Sequence, residues 1–173
     1  MCPKSDAGAM NTSVDQQLLL EFFLVFSRFE YALKASGFHK RHPPNPPHYP
    51  RAEPDWDCFA ARLRDKFDPN STIKLKQACE YLLDSPPNQQ VILQDAVAWE
   101  TPVRPNGEGD IQFLLRMVRC VRNNLFHGGK FNIDVHEDTA RTEALLRSSL
   151  TVLAGCLEIA PPQQQAAYKD ARL

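Results

Sequence analysis

Arg122 and His127, near the end of a predicted helix, have complementary chemistry. Arginine carries a permanent charge on a planar group that binds phosphate, and histidine exchanges protons near neutral pH. A cation that holds a phosphate and an imidazole that moves a proton can together break a ribose-phosphate bond without a metal. The pair therefore predicts chemistry on RNA, with both residues as catalytic candidates. The alternative is an ordinary helix end, where His127 interacts with the last carbonyls and Arg122 is solvated.

The segment that carries this pair predicts an amphipathic helix. At about 100° per residue, its apolar residues fall within an arc of roughly 120°. They are Ile111, Leu114, Met117, Val118, Val121 and Leu125. The polar candidates share the other side of the helix, and they are Arg116, Arg119, Arg122, Asn123 and His127.

Three of these polar residues are candidates for supporting roles. Asn123 is a candidate to bind the phosphate or to orient His127, and the alternative is a polar position without a role. Arg116 and Arg119 are candidates to add RNA affinity through phosphate contacts, and the alternative is a solvated row of charges.

The end of the motif helix has its own signals. Leu115 and Phe126 interrupt the polar side, which predicts a contact with another helix or subunit. Gly128 and the glycine after it tolerate positive φ and predict the end of the helix. His127 would then lie at the negative end of the helix dipole, which favours the protonated imidazole. Lys130 is a further RNA-binding candidate, with a solvated lysine as the alternative.

The run Arg-Asn-Asn-Leu-Phe-His-Gly at 122–128 resembles the signature of HEPN domains (higher eukaryotes and prokaryotes nucleotide-binding). Its form is similar to that of bacterial toxin and phage-defence members. The resemblance implies a metal-independent endoribonuclease that needs no cofactor and acts as a homodimer, with the two motifs in one cleft. A non-catalytic HEPN module that binds nucleotide, RNA or a protein partner is the alternative function.

The resemblance has one extension and one limit. Many HEPN domains have an acidic residue on another helix, near the arginine and histidine, and Glu30 resembles it; an ordinary surface glutamate is the alternative. In HEPN toxins that a nucleotidyltransferase silences, a tyrosine follows the histidine by two positions, where this chain has Gly129. We therefore do not expect that mode of control, and an antitoxin or regulatory protein stays open as a partner.

Other residues that suggest a site have a simpler interpretation. His39, His42 and His48 lie near Cys58 in sequence, but intervening prolines and the lack of a second ligand pair favour a loop, so we expect no metal. The two tryptophans could stack on bases. Because both lie in segments predicted to be helical, we expect core positions for Trp56 and Trp99.

The rest of the chain predicts the elements that position the motif. A capping box of Ser13 with Gln16 begins a helix that Gly37 ends, and Asp110 caps the motif helix. Helices are predicted at 13–37, 55–67, 71–83, 88–99, 110–127 and 137–159, and proline-rich or glycine-rich loops at 43–54 and 102–109. No strand is expected. The prediction is an all-α, HEPN-like bundle of about five or six helices over 13–160, with flexible segments at 1–12 and 161–173.

Composition limits the partners. The 173 residues carry a net charge of −1, so RNA must be bound by a local basic patch rather than by overall charge. The five cysteines are scattered, which favours reduced thiols in the cytoplasm. The apolar run 18–26 is too short for a bilayer, and the first residues do not resemble a secretory signal, so we expect no membrane association.

Overall fold

The computed structural model describes residues 14–41, 49–126 and 137–171. These residues form six helices and one two-stranded sheet. In chain order the elements are α1 (Gln16–Ala35), α2 (Trp56–Leu63), α3 (Ile73–Asp84), β1 (Gln89–Leu93), β2 (Ala96–Glu100), α4 (Asp110–Phe126), α5 (Glu137–Glu158) and α6 (Pro162–Asp170). The prediction of a mostly helical fold is confirmed.

Side-chain caps begin the first three helices. Asp15, Asp55 and Thr72 each accept a hydrogen bond from a backbone N–H in the first turn that follows. α1 ends before Gly37, whose φ of +90° is the left-handed conformation that a glycine adopts without strain. The predicted stop at Gly37 is therefore confirmed, whereas the predicted cap at Ser13, which lies outside the described residues, is wrong, because Asp15 caps α1 and Gln16 is its first residue.

The start of α4 differs from the prediction. Asp110 does not cap the helix but is its first residue, and its carboxylate pairs with Arg104 at 2.6 Å. The backbone N–H of Gly109 donates instead to the Gln112 side chain at 3.0 Å, as the glutamine of a capping box does. The loop 102–109 is thus fastened to the helix that carries the candidate site.

Apolar residues at helical spacing build the core. The predicted inner side of α4 is buried except for Leu125, which is partly buried, and Leu115 is buried as well. α1 packs against α5 and α6, while α4 packs against α2 and α5. Trp56 is in the core as predicted, with its ring stacked on that of Phe29 at 5.5 Å between centroids.

A β-hairpin replaces the helix predicted at 88–99. β1 and β2 are antiparallel, with Gln89 opposite Glu100. Gln94 and Asp95 form a two-residue turn, with φ of 50° and 61°. The helix prediction was wrong because valine and isoleucine favour strands, and because this turn lacks the glycine that usually marks such hairpins. Trp99 is therefore on a strand, where it is partly exposed rather than in the core.

α6 replaces most of the predicted flexible segment at 161–173. Its Gln164 is fully buried, and the ring of Tyr168 lies edge-on to that of Phe29, at 6.2 Å between centroids. The guanidinium of Arg28 lies 4.5 Å from the centre of the Tyr168 ring. The prediction of a segment without structure was wrong. Its glutamine-rich composition is typical of disorder, but Gln164 and Tyr168 pack against the rest of the chain and hold the helix in place.

Candidate functional site

Arg122 lies on the last full turn of α4, where this helix meets α1. The carbon at the centre of its guanidinium is 5.6 Å from the ring centre of Phe26 and 5.8 Å from that of Phe126. Nη1 of Arg122 also donates a hydrogen bond of 3.0 Å to Oδ1 of Asn123. These neighbours orient the guanidinium through cation–π contacts and one neutral acceptor.

Glu30 lines the same small cavity as Arg122. The cavity has a volume of about 80 Å³ and is lined by Phe23, Phe26, Ser27, Glu30, Arg122 and Phe126. α1 contributes four of these residues and α4 contributes two. No ion pair within 4 Å joins Glu30 or Arg122 to another residue in the part of the chain that the structure describes. The structure thus brings together three of the predicted site residues: Arg122, Asn123 and Glu30.

Two exposed aromatic rings border this cavity. Phe23 and Phe126 are 43% and 50% exposed, and their ring centroids are 5.5 Å apart. The predicted contact of Phe126 with another helix is confirmed, since Phe23 is on α1. Phe23 itself was not singled out from the sequence. Its separation from Glu30 by two helical turns was the signal that the two side chains share one face of α1.

His127 and Lys130 lie outside the described residues. His127 is the next residue in sequence after Phe126, which is the last residue of α4.

The arginines predicted to form one row on α4 differ in whether another residue neutralises their charge. Arg116 donates to both carboxylate oxygens of Glu108, at 3.1 Å and 2.8 Å, and to the carbonyl of Val103 at 3.1 Å. Its charge is therefore neutralised by the loop before α4. Arg119 is half-buried and forms no hydrogen bond or ion pair with a residue in the described ranges. Of the two supporting arginines, Arg119 is the one whose charge is available.

The second half of α4 is attached to the chain just before the hairpin. The amide nitrogen of Asn124 donates to the carbonyl of Asn88 at 2.6 Å, and the thiol of Cys120 donates to the same oxygen at 3.4 Å. Burial raises the pKa of the Cys120 thiol, so it stays protonated and can act as a donor. These bonds position the turn of α4 that carries Arg122.

Among the described residues, no cluster of three histidine, cysteine, aspartate or glutamate side chains is placed to hold a metal. Of the residues that suggested zinc, His42 and His48 lie outside those residues, while His39 follows α1 and Cys58 is on α2. Burial raises the pKa of the Cys79 thiol to about 11.

Within the described ranges, no helix has both the length and the apolar character needed to cross a bilayer.

Comparisons with known proteins found no family model, no curated protein and no solved structure that matches this chain. The HEPN resemblance therefore rests on the residues of the chain itself. The arrangement around Arg122 is the structural basis for a functional proposal.

Proposed function

We propose that this chain is a metal-independent endoribonuclease of HEPN type that acts as a homodimer. One observation carries the proposal: Arg122, Asn123 and Glu30 meet beside an exposed pair of aromatic rings, at the end of the helix that His127 follows in sequence. A guanidinium without a carboxylate partner among the described residues is free to bind a phosphate.

Each side chain has a defined role in the proposed reaction. Arg122 holds the scissile phosphate and stabilises the charge that develops on its oxygens. His127 moves the proton as the ribose 2′-oxygen attacks phosphorus and the 5′-oxygen leaves, so the products are a 2′,3′-cyclic phosphate and a 5′-hydroxyl. Asn123 keeps the guanidinium in place through its hydrogen bond. Glu30 lines the same cavity as Arg122, and its proposed role is to orient His127.

The ring of Phe126 favours unpaired RNA as the substrate. Bases in single-stranded RNA can turn outward and stack on aromatic side chains, whereas bases in a duplex cannot. Because this ring is half exposed and borders the cavity, a base next to the scissile phosphate can stack on it. Arg119, one turn before Arg122, extends the phosphate contacts along the strand.

A second copy of the chain is proposed to cover the exposed apolar side of α1. Four large apolar side chains recur there at helical spacing, and each is more than a third exposed: Leu20, Phe23, Leu24 and Tyr31. Phe23 belongs both to this stripe and to the border of the Arg122 cavity. A dimer formed through the stripe would bring two cavities close together, as the composite site requires.

The form of the motif supports a role as a toxin or phage-defence effector in the cytoplasm. The Arg-Asn-x-Leu-x-His-Gly pattern at 122–128 is the one that resembles such members. The described cysteines are unpaired, which fits a reducing compartment. An antitoxin or regulatory protein would be the corresponding partner.

Two substitutions test the catalytic assignment. We expect His127→Ala and Arg122→Ala each to lower RNA cleavage by roughly a hundredfold or more, because each removes a group needed in the transition state. Cleavage of a labelled single-stranded RNA would be followed on gels, with product ends mapped and EDTA present. Arg62→Ala, at an exposed arginine on α2, is the matched control and should cleave like the parent.

The outcomes separate the competing functions. Helical content and thermal unfolding of the variants should match those of the parent, since Arg122 lies at the edge of the core. If the variants cleave as well as the parent, the catalytic assignment fails. If the parent binds RNA without cleaving it, a non-catalytic HEPN module is the correct interpretation. Strict dependence on a metal would point to another mechanism.

A further inference from the structure

A second cavity lies between α1, α3, α5 and α6, on a different face of α1 from Arg122. Its volume is about 450 Å³, within the range of roughly 300–1,000 Å³ that is usual for small-molecule sites. Most of its wall is apolar and is formed by Leu18, Val25, Phe29, Leu150, Leu153 and Leu157. Such a wall favours an apolar ligand, because a polar group inside would lose its hydrogen bonds to water.

The polar residues that line this cavity include two cationic side chains, Lys74 and Arg147. Lys74 is exposed and forms no ion pair or hydrogen bond with a residue in the described ranges. Arg147 contacts a carboxylate only at 3.7 Å, that of Glu143, whose other oxygen accepts a bond from the backbone N–H of Asp15. Among the described residues, Glu21 is the one carboxylate that lines the cavity, so the charged side chains of this part of the lining have a net positive charge.

We propose that this cavity binds an amphipathic carboxylate, with a saturated hydrocarbon chain among the apolar walls and the anionic head group beside Lys74 and Arg147. Charge complementarity supports the anionic head group, since Lys74 has no partner in the described ranges and Arg147 has only the carboxylate of Glu143, at 3.7 Å. The apolar walls argue against a peptide, whose backbone N–H and C=O groups would need partners in the cavity. This binding does not depend on RNA cleavage.

Isothermal titration of the full chain with decanoate tests the proposal. Removing two methylenes should weaken binding, so octanoate is expected to bind roughly tenfold more weakly than decanoate. 1-Decanol has the same chain length without the charge and is expected to bind at least fivefold more weakly than decanoate. If decanoate does not bind, or if decanol binds as tightly, the proposal is overturned.

Charge reversal locates the head group. Lys74→Glu with Arg147→Glu should weaken decanoate binding at least tenfold and leave decanol binding unchanged. Arg62→Glu with Lys76→Glu makes the same change in net charge at exposed residues that do not line the cavity, and should bind decanoate like the parent. An equal loss in both double variants would mean that overall charge, and not this cavity, attracts the ligand.

A third variant locates the hydrocarbon chain. Ala154 is exposed and lines the cavity, so Ala154→Phe should narrow the opening and weaken decanoate and decanol alike. Thermal unfolding of each variant shows whether the fold is retained. If Ala154→Phe is folded and binds decanoate unchanged, the chain lies elsewhere and the proposal fails.

Discussion

The guanidinium of Arg122 is oriented by two aromatic rings and an amide oxygen, none of which carries a charge. A carboxylate partner would fix the group equally well but would compete with a phosphate for it. Arg116 differs from Arg122, because its Nε and Nη2 already donate hydrogen bonds to the carboxylate of Glu108. Arginines on one helix can therefore differ in their availability to a phosphate, and among the described residues Arg122 has groups that orient it but no carboxylate that neutralises it.

The proposed stacking of an RNA base on Phe126 can be measured separately from the proposed cleavage. We expect Phe126→Leu to weaken binding of single-stranded RNA by about 1–3 kcal/mol, the usual contribution of an aromatic ring to one stacked base. Fluorescence anisotropy with a labelled oligonucleotide would measure the change, in the His127→Ala background so that the RNA stays intact.

Phe126→Tyr is the matched control for this measurement. It keeps a ring of similar size at the same half-exposed position and should bind RNA like the parent. If the leucine and tyrosine variants bind equally, Phe126 does not stack on a base.

Helical periodicity predicted part of this site. Counting along one helix places Arg122, Asn123 and the apolar side of α4 correctly, because these relations depend only on the rotation per residue. The neutralisation of Arg116 could not be predicted in this way, since Glu108 lies in a loop whose path depends on tertiary contacts. The shared cavity of Glu30 and Arg122 followed from the family resemblance and not from periodicity.

Among the elements, α6 contains an unusual core residue. Gln164 is fully buried, and neither Nε2 nor Oε1 of its side-chain amide has a hydrogen-bond partner among the described residues. Leaving such groups unpaired costs about 1–3 kcal/mol. We therefore expect Gln164→Leu, which keeps a similar volume, to raise the free energy of unfolding by about 1 kcal/mol in urea denaturation.

An exposed neighbour provides the control for that substitution. Gln163→Leu removes an amide that water already solvates, so it should change the free energy of unfolding by less than about 0.5 kcal/mol. A loss of stability in Gln164→Leu would show that the buried amide has partners, such as an ordered water.

Two elements were not predicted, the β1–β2 hairpin and α6. The local sequence of each favours a different structure from the one it adopts. The hairpin turn at Gln94 and Asp95 needs positive φ, yet neither residue is a glycine, so the turn had no clear mark in the sequence. α6 has a glutamine-rich composition typical of disorder, and tertiary contacts of Tyr168 hold it in place. The long helices were predictable because their apolar spacing persists over many turns.

At the scale of the whole molecule, the exposed stripe on α1 makes the oligomeric state testable. We expect Leu24→Glu to convert a dimer into a monomer in sedimentation velocity, because a charge would be buried at the proposed interface. RNA cleavage should fall together with the dimer fraction, since the proposed composite site contains residues from both copies.

A charge on the hairpin provides the matched control. Ile92 is 70% exposed, and Ile92→Glu adds the same charge away from α1, so it should leave both the dimer and the cleavage intact. A parent chain that sediments as a monomer, while cleaving RNA at full rate, would contradict the composite site.

α1 is a wall common to both cavities: Phe23 and Glu30 face one, while Leu18 and Val25 face the other. A helix of 20 residues shifts nearly as a rigid rod, so a molecule that displaces it on one side alters the space on the other. Thermodynamic reciprocity then requires that, if an occupant of the larger cavity changes the affinity for RNA, RNA changes the affinity for that occupant by the same factor. Through this shared helix, a ligand in the larger cavity would affect the proposed RNA site on the other side of α1.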